Sequence, residues 1–184
     1  MKTDQVLKQM VTRSIDNYIS PGLISHLVAV SEKGGMVRMF ENTREQMVSV
    51  TPHSHRFDLT CIVLEGEVRN TIFNTVRHQR NGHIAEGAEA FVVKDISYCG
   101  GVGKYREVGQ DKYFHTSLSR VYKQGDIYSM TYDQIHSIWF SKGAKVLIIE
   151  GVDRTNTTKV LLPIDKNGVV IDTMKVEDWM FKDK

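Results

Sequence analysis

The sequence has few of the features that mark secreted or membrane proteins. It contains two cysteines, Cys61 and Cys99, which are too few for a disulfide framework and lack metal-ligand spacing. We therefore expect free thiols in a reducing compartment. No apolar run approaches the roughly 20 residues that are needed to span a bilayer. The first residues, MKTDQVLKQM, lack the apolar core of a signal peptide. These absences predict a cytoplasmic protein without a membrane partner.

A strong charge of one sign is also missing. The 24 basic and 22 acidic residues leave a formal net charge of +2, and the basic residues are scattered along the chain. A nucleic-acid-binding surface needs a basic patch or stripe, so we predict a small-molecule substrate or ligand and no nucleic-acid partner. The length of 184 residues suits one domain with a full-sized core, and we expect residues 1–184 to form that single domain.

One helix is predicted, at the N-terminus. Over residues 4–19 the apolar side chains recur with a 3.6-residue period, and Ser20-Pro21-Gly22 ends the pattern. Residues 1–22 therefore predict a short helix followed by a turn. The tail at residues 176–181 is interpreted as a last helical turn.

The rest of the chain reads as about ten short strands separated by glycine turns. Two hairpins are predicted, one across residues 32–35 and one joining 159–164 to 169–174. The segment 77–110 is polar and glycine-rich, interrupted only by the apolar residues 90–93, and we interpret it as an insertion or a lid loop. Short strands after one helix predict an all-β barrel or sandwich, and closed barrels of this kind often hold one small-ligand cavity.

Three histidines are the best candidates for chemistry. His53 and His55 are two residues apart, so on a strand their side chains leave the same face and two neutral imidazoles can converge on one metal ion. His136 is a candidate third ligand. The alternative is that His53 and His55 are surface histidines at the end of a strand.

The spacing around these histidines resembles the two motifs of the cupin superfamily. His53, His55 and Gly66 match the two histidines and the closing glycine of the first motif, and Gly125 and His136 match the glycine and the histidine of the second. The resemblance implies a cupin-like double-stranded β-helix, that is, a jelly-roll barrel. It also implies His53, His55 and His136 as the ligands of a divalent metal ion, and a homodimer.

The chain departs from the cupin pattern at the position of the fourth ligand. Leu59 stands where the first motif has its glutamate. A three-histidine site without this glutamate is similar to that of the thiol dioxygenases, such as cysteine dioxygenase, in which three histidines hold iron. The resemblance therefore favours Fe(II), with zinc, manganese and nickel left open.

Five further residues near these motifs are candidates for the chemistry. Asp58 could orient a ligand histidine, act as a base or bind the metal; its alternative is a salt bridge or a turn cap. Tyr128 could hydrogen-bond a bound ligand, and Arg56 could recognise a carboxylate or a phosphate. Cys61 and His115 could line the pocket. Core packing or surface charge is the alternative for each.

Taken together, the sequence predicts a metal-dependent small-molecule enzyme. The leading hypothesis is a non-haem Fe(II) oxygenase, with Asp58 or Tyr128 handling protons. Two alternatives stay open at this point. One is a non-redox metalloenzyme, such as an isomerase, a lyase or a hydrolase. The other is a ligand-binding module that turns nothing over.

Overall fold

A computed structural model describes residues 3–18, 21–44, 48–76, 88–98, 105–164 and 169 of the chain. The described part has one short helix and twelve strands. In chain order these elements are α1 Thr3–Gln9, β1 Arg13–Ile15, β2 Leu23–Val30, β3 Met36–Asn42, β4 Val48–Ser49, β5 Phe57–Glu65, β6 Glu67–Val76, β7 Glu89–Tyr98, β8 Tyr105–Lys123, β9 Ile127–Met130, β10 Ile135–Phe140, β11 Lys145–Asp153 and β12 Thr157–Pro163.

The strands form two six-stranded antiparallel sheets. The first sheet has the order β1-β2-β3-β11-β5-β9, and the second has the order β12-β7-β8-β6-β10-β4. Non-consecutive strands lie side by side in both sheets, for example β11 between β3 and β5, so the chain crosses repeatedly from one sheet to the other. The predicted all-β fold with a short N-terminal helix is confirmed.

The core lies between the inner faces of the two sheets. The first sheet supplies Leu23 and Val146, which are both 0% exposed, and the second supplies Val68 and Phe140, which are 0% and 1% exposed. Alternation along each strand sends every second side chain inward, as the burial pattern of β5 shows. Because the same alternation continues toward His55, the core and the candidate site share one interior.

The N-terminal helix is shorter than predicted. It ends at Gln9, and the strand β1 occupies part of the segment 4–19 that was expected to be helical. Strand β1 pairs with β2, and the Thr12 N–H donates to the Leu27 carbonyl at 2.9 Å. Tertiary pairing with the edge of β2 outweighs the weak helical preference of this segment, which is rich in β-branched residues.

The predicted turns place the strands that carry the candidate site. The hairpin across residues 32–35 is confirmed, because β2 and β3 pair on either side of it. Gly66 between β5 and β6 and Gly125 between β8 and β9 have φ values of 72° and 90°. Side chains with a Cβ atom rarely adopt this left-handed conformation, which explains glycine at these two positions.

Part of the segment 77–110 is sheet rather than loop. Residues 89–98 form β7, which pairs with both β8 and β12, and β8 begins at Tyr105. The polar composition of these residues hid strands whose partners are distant in sequence. Residues 77–87 and 99–104, Cys99 included, lie outside the described residues, as do the predicted helical tail and all but the first residue of the partner strand predicted at 169–174.

The helix α1 has seven residues. It is the one helix among the described residues, and it is not long and apolar enough to cross a membrane.

Candidate metal centre

The histidines of the first motif lie in a short segment that is bound to the second sheet. The His53 N–H donates to the His136 carbonyl at 2.8 Å, and the His136 N–H donates back to His53 at 2.9 Å. On its other side the segment pairs with β12, since Ser54 N–H donates to the Lys159 carbonyl at 2.8 Å. The segment thus fills the space between β10 and β12 and brings the histidines of the two motifs together.

The three imidazole rings of His53, His55 and His136 form a compact group. Their centroids are 4.7 to 5.0 Å apart, and one nitrogen from each ring lies within 4.8 Å of the other two. The Nε2 atoms of His55 and His136 are 2.8 Å apart. The predicted convergence of the three histidines is therefore present in the structure.

Hydrogen bonds at Nδ1 fix the orientation of two of the rings. The Nδ1 atom of His53 is 2.7 Å from the Thr51 carbonyl oxygen, and that of His136 is 2.7 Å from Oδ1 of Asn70. Both oxygens accept, so each imidazole carries its proton on Nδ1 and its lone pair on Nε2. Metal-binding histidines are commonly held by such a partner on the far nitrogen.

The protein keeps these imidazoles neutral. Burial lowers the pKa of His53 below its ordinary value of 6.5, against a backbone hydrogen bond that raises it. Burial lowers the pKa of His55 and His136 much further, and the neighbouring imidazoles add to the effect. Neutral imidazole is the form that binds metals, so the group is ready to bind a metal ion at neutral pH.

The donor set fits a divalent transition metal. Three neutral imidazole nitrogens within 4.8 Å of one another suit iron, zinc, nickel or copper. Without a metal ion, the 2.8 Å contact between the Nε2 atoms of His55 and His136 needs one proton between them, because His136 already carries its own on Nδ1. A metal ion takes the place of that proton, with neutral His55 protonated on Nδ1 instead.

Asn70 is expected to tune the metal affinity through His136. Its amide is 4% exposed and accepts the hydrogen bond from Nδ1 of His136. We expect Asn70→Leu to lower the metal affinity by about 10- to 100-fold, the range for losing such a partner. Competition with a chromogenic chelator measures it. Thr71→Val is the matched control, since Thr71 bonds Ser119 in the neighbouring strand, and equal affinities for both variants would contradict the role of Asn70.

The metal-free protein is expected to lose stability as the pH falls. The unfolded chain takes up protons as the pH passes through 6.5, whereas the folded histidines, with lowered pKa values, do not. Each such histidine costs up to about 1.4 kcal/mol per pH unit below that point. Between pH 7 and 4.5, folded Glu150 takes up a proton because its pKa is raised to about 7. This uptake offsets the loss of stability that one of the three histidines causes.

Urea unfolding of the metal-free protein at several pH values measures this loss. The free energy of unfolding should fall below pH 6.5 and should fall less steeply in His136→Asn, which lacks one of the titrating groups. Parallel slopes for the wild type and this variant would show that His136 has an ordinary pKa in the folded state.

The three histidines of the candidate metal centre form part of the wall of a partly open cavity of about 220 Å³. Apolar side chains such as Phe40, Val50 and Ile138 make up most of its wall, and charged and polar side chains, among them the histidines, make up the rest. The cavity therefore suits a small molecule and is smaller than the pockets that bind drug-sized ligands.

Three of the predicted site residues line this cavity with the histidines: Arg56, Cys61 and Tyr128. Arg56 forms a salt bridge with Asp153, with an Nη1–Oδ2 distance of 2.9 Å. Cys61 and Tyr128 are cross-strand partners of β5 and β9. Burial raises the pKa of Cys61 to about 12 and raises that of Tyr128 as well. Both groups are therefore neutral at physiological pH, and the thiol is poorly nucleophilic.

The other two predicted residues lie away from the histidines. Asp58 is on the outer face of β5, where it accepts a hydrogen bond from the Tyr132 N–H at 2.9 Å and pairs with Arg154 at 3.2 Å. Strand alternation explains this, because Leu59 points inward. His115 is 2% exposed and packs against Phe91 on the opposite face of the second sheet. Neither residue is part of the cavity wall.

Sequence reasoning missed two polar residues of this interior, Asn70 and Glu150. Asn70 stands between the inward residues Val68 and Ile72 of β6, and Glu150 follows Val146 and Ile148 on β11. In both cases a polar residue occupies an inward position of an otherwise apolar strand face. That break in the alternation was the available signal.

Comparisons with known proteins find similarity in structure and none in sequence. No protein-family model and no curated protein matches the chain. Among solved structures, the chain is similar to KdgF from Halomonas sp., with 15% identity, 75% of this chain and 86% of that chain covered, and a TM-score of 0.40.

Other similar structures include proteins described as cupins. An RmlC-like cupin from Shewanella frigidimarina is 12% identical, over 75% of this chain and 84% of that chain, with a TM-score of 0.43. The CENP-C cupin domain of Drosophila melanogaster is 13% identical, over 71% of this chain and 70% of that chain, with a TM-score of 0.41. Identities of this size assign no activity to the chain.

Proposed function

We propose that this protein is a metal-dependent enzyme acting on a small molecule, with Fe(II) held by His53, His55 and His136 and with oxygenase chemistry. One observation carries the proposal: three neutral imidazoles place their donor nitrogens within 4.8 Å of one another in the wall of a partly open cavity. A purely structural histidine cluster would not need a cavity beside it.

Three histidines leave coordination positions of a bound Fe(II) ion open to a substrate and to oxygen. The protein supplies the surroundings for that chemistry. Tyr128 offers a neutral hydroxyl inside the cavity, which can hydrogen-bond a ligand, and Arg56 with its partner Asp153 lies where a ligand carboxylate could compete for the guanidinium. Apolar walls confine the ligand to a small volume.

The test begins with the metal itself. Protein purified without a His-tag and without chelator is analysed for iron, zinc, manganese and nickel. The Fe(II)-loaded protein is then offered a panel of small thiols and carboxylic acids while oxygen uptake is recorded. Substrate-dependent uptake that is lost in His53→Ala supports the oxygenase proposal. Background uptake at full iron loading would refute it.

Two further outcomes would redirect the assignment. Anaerobic turnover with zinc would show a non-redox metalloenzyme. A bound small molecule that is recovered chemically unchanged would show a binding module. The predicted cytoplasmic location and homodimer remain predictions.

A further inference from the structure

Glu150 is the one carboxylate among the described residues that line the cavity. It lies on β11 directly opposite Leu59 of β5, so both side chains point to the same side of the first sheet. Leu59 is 4% exposed and Glu150 is 9% exposed. The carboxylate that is missing at Leu59 is therefore present on the neighbouring strand, in the same cavity wall.

The carboxylate of Glu150 is held loosely by its neighbour. Its Oε1 atom is 3.2 Å from Nε of Arg38, but in the described part of the chain that Nε–H makes no aligned hydrogen bond. The other nitrogens of Arg38 donate to the Ser25 hydroxyl and to the Met36 sulfur. Arg38 thus pairs with one carboxylate oxygen of Glu150 without an aligned hydrogen bond, which leaves the carboxylate able to accept a donor from a ligand.

Three charged side chains shift the pKa of Glu150, one on β3, one just before β5 and one on β11. Burial raises its pKa to about 7, Arg38 and Arg56 lower it, and Asp153 on its own strand raises it. The other polar groups in the wall are poorer proton acceptors. Tyr128 and Cys61 are neutral with raised pKa values, and the histidine lone pairs belong to the metal centre.

We propose that Glu150 accepts a proton from the molecule that binds beside the three histidines. The cavity would thereby select small molecules whose metal-binding atom carries an acidic O–H, N–H or S–H. In this step the X–H bond of the ligand breaks and its electron pair stays on X. The proton forms an O–H bond with the Glu150 carboxylate, so no oxidant or reductant is needed. The inference rests on the proposed metal centre and adds the class of ligand that it takes.

Acetohydroxamic acid is a suitable probe, because it is small and gives up a proton when it binds a metal. Calorimetric titration of the zinc-loaded protein in buffers of different ionisation enthalpy gives the affinity and the number of protons released. At about pH 8, Glu150→Gln should bind the probe roughly tenfold more weakly than the wild type, since a charge-assisted contact is lost. It should also release about one proton more to the buffer.

The pH dependence separates proton transfer from a structural role. At a lower pH, where the wild-type carboxyl of the zinc-loaded protein is protonated before the probe binds, the difference between the two proteins should largely disappear. Glu65→Gln is the matched control, since Glu65 is a carboxylate of the neighbouring strand β5 whose side chain is 46% exposed and is not part of the cavity wall. It should stay within about twofold of the wild type at both pH values.

A second measurement needs no variant. Infrared difference spectra of the wild type at about pH 8 should show a protonated carboxyl group when the probe is added. Equal affinity and proton release in wild type and Glu150→Gln, at equal zinc content, would overturn the inference and leave the metal centre intact. Failure of the zinc-loaded protein to bind the probe would overturn it as well. Zinc binding that survives His136→Ala would instead overturn the proposed function.

Discussion

His136→Ala is expected to abolish functional metal binding. The substitution removes one of three ligands, so the affinity should fall by more than the roughly 100-fold that marks the loss of a ligand's hydrogen-bond partner. It also leaves Oδ1 of Asn70 without its donor in a buried position, which costs about 1–3 kcal/mol of stability. Metal analysis after dialysis, together with a chelator competition assay, measures the first effect.

His26→Ala is the control for this experiment. His26 is half-buried and contacts Ser14 and Glu41, away from the metal centre. Its variant should keep the metal content of the wild type. His55→Ala, at a half-buried position, repeats the test with less disturbance of the core, and circular dichroism shows whether each variant is folded. Full metal occupancy in folded His136→Ala and His55→Ala would mean that the metal lies elsewhere.

Phe140→Ala is expected to cause the largest loss of stability. Phe140 is 1% exposed in the core between the sheets, and its ring also forms part of the cavity wall. Truncation of a buried phenylalanine typically costs about 3–5 kcal/mol, because apolar burial is lost and a void remains. Urea unfolding followed by circular dichroism gives the free energy of unfolding for both proteins.

Leu118→Ala provides the comparison on the same sheet. Leu118 is 70% exposed on β8, so its truncation should change the free energy of unfolding by less than about 0.5 kcal/mol. If Phe140→Ala lowered the free energy of unfolding no more than Leu118→Ala does, this would contradict the burial of Phe140 between the two sheets. The Phe140 variant should also enlarge the cavity, which gives a second readout through the binding of larger hydroxamic acids.

The pairing of His53 and His55 could be predicted from sequence because the two residues are close along the chain, whereas His136, 81 positions from His55, gained its support from the resemblance to the cupin motifs. The side chains of His53 and His55 lie on one face of an extended segment. Gly125 and His136 are separated along the sequence as in the second cupin motif. The helix at 4–19 was predicted too long because its apolar period does not show that the edge of β2 is available to pair with Ser14. A local sequence pattern does not show which distant strand a segment will pair with.

The rest of the site depends on register, which local patterns do not give. Glu150 faces the cavity because β11 pairs with β5 so that Glu150 is opposite Leu59. Asn70 reaches His136 because β6 pairs with β10, with Ile72 opposite His136. A shift of one residue in either pairing would turn these side chains to the other face. Asp58 was a candidate because it is the carboxylate nearest to His53 and His55 in sequence, but it lies on the outer face.

The backbone pairing between His53 and His136 also bears on when the candidate metal centre could take up a metal ion during synthesis. His55 and His136 are separated by 81 positions, and β12, which holds the other side of the His53 segment, is made later still. A nascent chain that has not yet extended through β12 carries two or three of the ligands without the strands that hold them together. Closing such a long loop costs entropy that only the later contacts repay. Loading of a metal ion is thus expected to follow the completion of this sheet, and a metal ion offered to the emerging chain would find no site until then.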